Sequence, residues 1–327
     1  MKRSFRLGFL THVSADSTPQ QTYDGLTRLF VAAEKLGFQS GWIAQHHLSR
    51  GTGLSPSPLV LLSAIAAHTK RIHLATGVTV LPFEHPLRLA EDASVLNVLS
   101  NGRVQLGLGS GGANIAAFPA FDVEYANRAA LFQRGQESLQ TCLEGTGRYK
   151  GLEPVGAGLG DRLWHSHSTT EGAVYAAEQA NGLLLGTAVH NPASVQKPLA
   201  EAYLDAWTHA APPRLGIIRA VFPAASKQDA QDVLAPDLAP FGDWLRRENI
   251  AQGELNTADI IRLLNVHHGS PDDIEESLRN DPALFQYLSD FVVVVQSASS
   301  TIDDAIGRLE IIAREIAPRF GWQPDAA

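Results

Sequence analysis

The chain has 327 residues, 44% hydrophobic and 18% charged, with a formal net charge of −8. Such a chain supports a large buried core, as one large α/β barrel or two ordinary domains, which excludes a disordered chain. The mild acidity argues against a nucleic-acid surface, and no apolar run of about 18 residues offers a membrane span. The single cysteine, Cys142, rules out an internal disulfide, suits a reducing cytosol, and reads as a buried small residue rather than a nucleophile. Met1-Lys2-Arg3 has no apolar segment behind it, so a secretory leader is not expected.

In chain order, residues 5–11 read as a short apolar strand, followed by a polar loop with Asp16, Ser17 and Pro19. Residues 23–36 carry Leu26, Leu29, Phe30 and Ala33 at helical spacing and stop at Gly37. A second strand over 40–45 leads to His46 and His47. Ser57-Pro58 then opens a helix to about His68, proline being tolerated in a first turn. The third strand spans 72–81. His85-Pro86 opens a helix through Leu99, closed by Ser100-Asn101-Gly102. The fourth strand, 104–108, runs into Gly109-Ser110-Gly111-Gly112. A mixed loop over 113–126, a helix over 127–143 and a glycine-rich loop over 145–160 follow. The second half repeats the unit, with strands at 162–165, 183–186, 215–222 and 291–296. Its helices are expected at 170–180, 193–209, from Gln228, and at 301–317, with a helix-containing excursion over 235–289.

Strand followed by helix, eight times over, predicts an α/β fold of the (β/α)8 TIM-barrel type. It is read as one domain over 1–327, with insertions after strand four and between strands seven and eight. Val292-Val293-Val294-Val295 is apolar throughout, as a strand buried on both faces must be. The rival architecture is an open doubly wound sheet.

Parallel α/β enzymes place their chemistry at the carboxyl ends of strands. His46 and His47 sit there, and alternation lets at most one of them point into a barrel mouth; the other is a wall residue. Gly107, Gly109 and Gly112 match G-x-G-x-x-G. Pro119 blocks a regular helix behind them and the strand is the fourth, so a dinucleotide fingerprint is not the reading. They form either a tight small-residue turn, where a flat ligand lies close to the backbone, or a plain flexible loop. His165-Ser166-His167-Ser168-Thr169-Thr170 leads directly into a helix, where hydroxyls and free N–H groups make an anion cup. Arg128, opening the neighbouring helix, adds a cation. The plain alternatives are ordinary N-capping and a solvated arginine. His165-x-His167 with His46 also admits a zinc hydrolase, against which stands the lack of a carboxylate at these strand ends. His267-His268 read as a loop before a helix cap.

Together these stretches resemble the bacterial luciferase-like flavin-dependent monooxygenases. The resemblance is carried by Ala33-Glu34-Lys35-Leu36-Gly37-Phe38 into Gly41-Trp42-Ile43-Ala44-Gln45-His46-His47, and by Arg71-Ile72-His73-Leu74-Ala75-Thr76-Gly77-Val78. His85-Pro86-Leu87-Arg88-Leu89-Ala90-Glu91-Asp92 and Leu99-Ser100-Asn101-Gly102-Arg103 complete it, while 230–290 matches weakly. It implies a barrel that binds reduced FMN at its carboxyl face, the flavin being supplied by a separate flavin reductase. O2 and a small organic substrate are the implied reactants. A cytoplasmic homodimer joined through helices 58–69 and 86–99 is implied as well, with no metal.

By resemblance His46 is the active-site histidine, and Gln45 replaces the usual glutamate before it. Gly77 and Val78 lie beside the isoalloxazine, often through a non-prolyl cis peptide. Arg128, Ser166 and Thr169 match phosphate-binding positions, and His165 stands where some relatives have glutamate. Ser110 replaces an arginine that luciferase itself uses for phosphate, so anchoring rests more on Arg128. Two alternatives remain open, a deazaflavin (F420)-dependent oxidoreductase of the same fold and a non-catalytic flavin-binding paralogue suggested by Gln45. Loops 113–126 and 235–289 are expected to select the substrate.

Overall fold

The computed structural model describes residues 5–14, 17–48, 53–112 and 115–324. The leading Met1-Lys2-Arg3, Asp16 of the first loop, and Ala113 and Asn114 of the fourth lie outside the described residues. The strands are β1 (Arg6–Thr11), β2 (Ser40–Ile43), β3 (His73–Val80), β4 (Val104–Gly109), β5 (Leu163–Ser166), β6 (Gly182–Leu185), β7 (Leu215–Pro223), β8 (Val266–Gly269) and β9 (Asp290–Val294). All except β8 close into a parallel barrel, because β6 pairs with β7 and β9 pairs with both β7 and β1. Closure disposes of the open-sheet alternative. Around it stand α1 (Pro19–Lys35), α2 (Pro58–Ala66), α3 (Pro86–Leu99), α4 (Arg128–Leu143), α5 (Thr170–Glu178) and α6 (Lys197–Ala206). They are followed by α7 (Lys227–Arg247), α8 (Thr257–Leu263), α9 (Pro271–Arg279) and α10 (Ile302–Ile311).

Strand side chains alternate, so each strand feeds two cores. Leu10, Trp42, Ala44, Ala75, Trp164, Leu184 and Val292 fill the barrel interior. Trp42 and Trp164 meet edge to face there at 5.4 Å, and the Trp164 Nε1–H donates to Gln105 Oε1 at 2.8 Å. Phe9, Ile43, Leu74, Leu106 and Leu183 point the other way, into the shell between barrel and helices. The amino end of the barrel is tied by two polar side chains. Glu34 accepts the backbone N–H groups of Lys70, Arg71 and Ile72. Buried Arg103 donates to the carbonyls of Ala66, Thr69, Ile72 and Ser100.

Three departures from the sequence reading have physical causes. Helix α1 starts at Pro19 rather than Tyr23, because Thr18 and Gln21 form a capping box. Helix α7 runs unbroken through Pro236 and Pro240; both prolines are exposed, so the carbonyls they free face water. His267 and His268 lie on a strand, not in a loop. β7 pairs with β9 over Gly216–Ala220 but extends further, and β8 completes its overhang at Ala220–Pro223.

Candidate active site

Trp42 on β2 and Ala44 just beyond its end face inward, so His46 falls on the barrel side and Gln45 on the other. His47 turns onto the rings of Phe83 and Phe121, with centroids 5.7 and 4.7 Å away. One histidine of the pair therefore reaches the mouth, as alternation requires. It meets a residue the sequence reading passed over: His46 Nε2 lies 2.8 Å from His12 Nδ1. His12 directly follows β1, on the parity of inward-facing Leu10. The strand-end rule that singled out His46 applies to it equally. Burial, then neighbouring His47, lowers the His46 pKa. The enclosing protein, then His46, lowers that of His12, even though its side chain remains open to solvent.

Gln45 does not line the mouth. Its Oε1 accepts from the Val80 N–H at 2.6 Å, and its Nε2 donates to Glu84 Oε1 at 2.9 Å and to the Pro56 carbonyl. Where the resemblance implied a cofactor contact, the structure shows Gln45 as a clamp between the ends of β2 and β3. The substitution of amide for carboxylate has a local reason, since only the amide can donate to Glu84.

Gly77 and Val78 are joined by a cis peptide bond. The β3–β4 register shifts between Thr76 and Thr79 at the same place. Opposite them, Gly107 and Gly109 turn their bare faces inward. A Cβ on Gly107 would stand 2.1 Å from the Thr76 carbonyl oxygen, and one on Gly109 would stand 2.5 Å from Val78 Cγ2. Gly107 and Gly109 thus lie on β4 as close-packing strand residues rather than in a turn or loop, while a Cβ on Gly112 would meet nothing within 4 Å. Ser110 follows β4 half-buried, on the parity opposite to Gly109.

On β5 the inward residues are Trp164 and Ser166. His165 is fully buried in the outer shell, against Phe132 and Tyr175, with Nε2 3.1 Å from Asn181 Nδ2. Where the resemblance implied a place at the cofactor, the structure shows His165 packed in the wall. Thr169 is the N-cap of α5, its hydroxyl accepting the Gly172 N–H at 3.2 Å. Arg128 begins α4, with its guanidinium 4.0 Å over the Tyr125 ring and one N–H on the Tyr125 carbonyl. Among the described residues no carboxylate pairs with it. Phe132, one turn further along the same face of α4, touches both His165 and His167. The starts of α4 and α5 therefore lie side by side at the mouth end. Among the described residues no three His, Cys, Asp or Glu side chains gather as a metal site, and Cys142 is buried.

The model of the luciferase-like monooxygenases matches residues 4–281. The chain belongs to the luciferase-like monooxygenase family. The oxygenase component of a flavin-dependent trigonelline monooxygenase from Acinetobacter baylyi is 34% identical over 102 residues, 31% of this chain and 28% of that protein. The first curated relatives are matched over 28%, 36% and 53% of their own length. In fold, the chain is similar to the oxygenating constituent of 3,6-diketocamphane monooxygenase from Pseudomonas putida, solved with FMN. That likeness has a TM-score of 0.75 at 19% identity, over 99% of this chain and 100% of the other. The coenzyme F420-dependent tetrahydromethanopterin reductase of Methanopyrus kandleri is also similar, with a TM-score of 0.67 at 19% identity over 97% and 100%. The two likenesses establish the barrel and leave the cofactor to the chemistry of the site.

Proposed function

We propose that this member of the family is an FMN-dependent monooxygenase. It takes reduced FMN from a separate flavin reductase and places one atom of O2 in a small organic substrate, the other leaving as water. What supports the reading is a close-packed glycine wall on β4 with a helix N-terminus and a guanidinium at the neighbouring strand and helix ends. Gly107, Gly109 and Val78 form a thin surface on the barrel side. Ser166, the N-terminus of α5 and a guanidinium that has no carboxylate partner among the described residues stand at the next strand and helix ends. A planar ring carrying a phosphate fits that combination.

When bound, reduced FMN supplies the two electrons and the site of reaction with O2. The chain's own residues do the rest. Arg128 and Ser166 hold the phosphate, and Thr169 keeps the α5 N-terminus shaped for it. The Gly77–Val78 segment positions the ring. Phe83, Phe118 and Phe121 form an apolar wall behind His47 that limits water. Neutral His46 exchanges a proton at the reacting edge. Placement in the cytoplasm and pairing of two copies belong to the same proposal. On α2 and α3, Val60, Val98 and Leu99 are 69%, 58% and 60% exposed, an apolar face suited to a second copy.

The test mixes the protein anaerobically with chemically reduced FMN or reduced F420 and then admits oxygen. Saturable binding and accelerated oxygen uptake with FMN support the proposal. Binding and turnover with F420 alone overturn it in favour of hydride transfer.

A further inference from the structure

The histidine pair at the mouth is held more firmly than a chance contact. β1 and β2 are paired neighbours, with Thr11 opposite Ile43, and each sends one imidazole inward from just beyond its end. The backbone on both sides is pinned. The Leu54 N–H donates to the Val13 carbonyl and the His46 N–H to the Ser55 carbonyl. Gly53 permits that closure, because a Cβ there would stand 1.8 Å from the His12 carbonyl oxygen. Thr11 Oγ1 accepts the Val13 N–H and donates to Gln296 Oε1, while Gln296 Nε2 reaches the Ser14 carbonyl. Val13 itself sits at φ 56°, a left-handed conformation that a β-branched residue adopts only under constraint.

At 2.8 Å between ring nitrogens, one nitrogen must carry a hydrogen and the other a lone pair. We propose that His12 is a positioning residue for His46, its Nδ1 holding the His46 ring in one plane and one tautomer through Nε2. The only ring nitrogen that His46 then offers to a molecule in the mouth is Nδ1, and the proton state of that atom is dictated by His12. Two imidazolium rings at this distance repel, so the pair favours neutrality. The other titratable groups near it among the described residues are His47 and, beyond His47, Glu84. Neither stands between the two rings. The tautomer claim is independent of any cofactor; its kinetic consequence rests on the placement of His46 at the reacting edge of FMN.

The experiment uses the full chain labelled with 15N-histidine, without flavin. A scalar coupling between His12 Nδ1 and His46 Nε2, with His46 in a single tautomer, is expected. In His12→Leu the two His46 ring nitrogens should move toward tautomer-averaged shifts. His12→Asn, whose amide occupies the Nδ1 position, should restore a single form. With reduced FMN and O2, His12→Leu should slow flavin reoxidation at least roughly tenfold at unchanged FMN affinity, since the group that orients a catalytic histidine is worth up to ~10⁴. His12→Asn should recover most of the rate. Averaged tautomers in the parent, or His46 shifts indifferent to His12→Leu, overturn the inference whatever the flavin does. An intact pair whose loss leaves reoxidation unchanged overturns the positioning role. A parent that shows the coupling but binds no reduced FMN overturns the flavin reading and leaves the pair standing.

Discussion

Gly109→Ala separates the two jobs that glycine does on β4. The added Cβ would lie 2.5 Å from Val78 Cγ2 and 3.6 Å from Val78 Cβ. Unstrained carbon contacts lie near 3.5–4.0 Å, so the methyl must retreat by about 1 Å. Val78 is half-buried and borders the mouth, so it yields toward the space assigned to the flavin ring. Overpacking of this kind costs about 1–3 kcal/mol. Borne by the complex rather than the free protein, that weakens FMN binding by about fivefold to a hundredfold. Gly107→Ala is the contrast. Its Cβ would meet the Thr76 carbonyl oxygen at 2.1 Å, a backbone atom in a paired strand that cannot swing aside. There the cost falls on stability. At about 2.1 cal/mol/K per residue, 327 residues give an unfolding entropy of roughly 0.7 kcal/mol/K. The same 1–3 kcal/mol then lowers Tm by roughly 1.5–4 °C. FMN fluorescence quenching and a thermal melt read both quantities. Gly109→Ala should lose affinity at a near-parental Tm, and Gly109→Ala with Val78→Ala should regain it. Parental affinity in Gly109→Ala, or a double variant that folds but stays weak, would refute the account of this wall.

Arg128→Ala removes a charge-assisted contact of about 1.5–3 kcal/mol. FMN should bind tenfold or more weaker, while riboflavin, lacking the phosphate, should be indifferent in parallel titrations. Gln45→Glu should place two carboxylates where the amide now donates to Glu84 at 2.9 Å. The variant should be less stable than the parent at pH 8 and recover at pH 5 in urea melts, and an equal loss at both pH values would contradict the clamp. His165 and His167 are held below the ordinary histidine value by burial, His167 to about 4. The unfolded chain, titrating near ~6.5, therefore binds more protons, so stability should be full above that pH and fall between ~6.5 and ~4. A urea midpoint no lower at pH 5 than at pH 7.5 would count against this. Val98→Glu on the exposed α3 face should shift sedimentation from dimer to monomer at micromolar concentration, and a parent that sediments as monomer removes the proposed pairing.

The barrel was legible because its strands are buried on both faces and read as apolar runs separated by helix signals. What escaped was set by tertiary context. β8, Val-His-His-Gly, has no strand signature of its own and exists because β7 is longer than its partner β9. The site was legible only as far as parity could be inferred. Alternation alone left open which of His46 and His47 faces inward; the resemblance named His46, and the inward packing of Trp42 and Ala44 puts His46 on the barrel side. On β5 the expected strand over 162–165 leaves open whether Trp164 or His165 faces inward. The decision comes from Trp42 across the barrel, whose ring packs against Trp164.

The stretches that carry the family resemblance divide by barrel end, which bears on how far a resemblance can locate chemistry. Glu34 and Arg103 bind backbone at the amino end and fix the connections into β3 and β4. Any chemistry at the mouth would need them, since they set the register from which inward positions follow. At the carboxyl end the same stretches hold His46, which reaches the mouth, and Gln45, which is spent on Val80 and Glu84. His12 lies outside the stretches quoted for the resemblance, though within the residues the family model matches, and it is the only described side chain hydrogen-bonded to His46. The exposed His12 belongs to neither core, so its replacement should disturb the histidine pair while leaving the fold untouched.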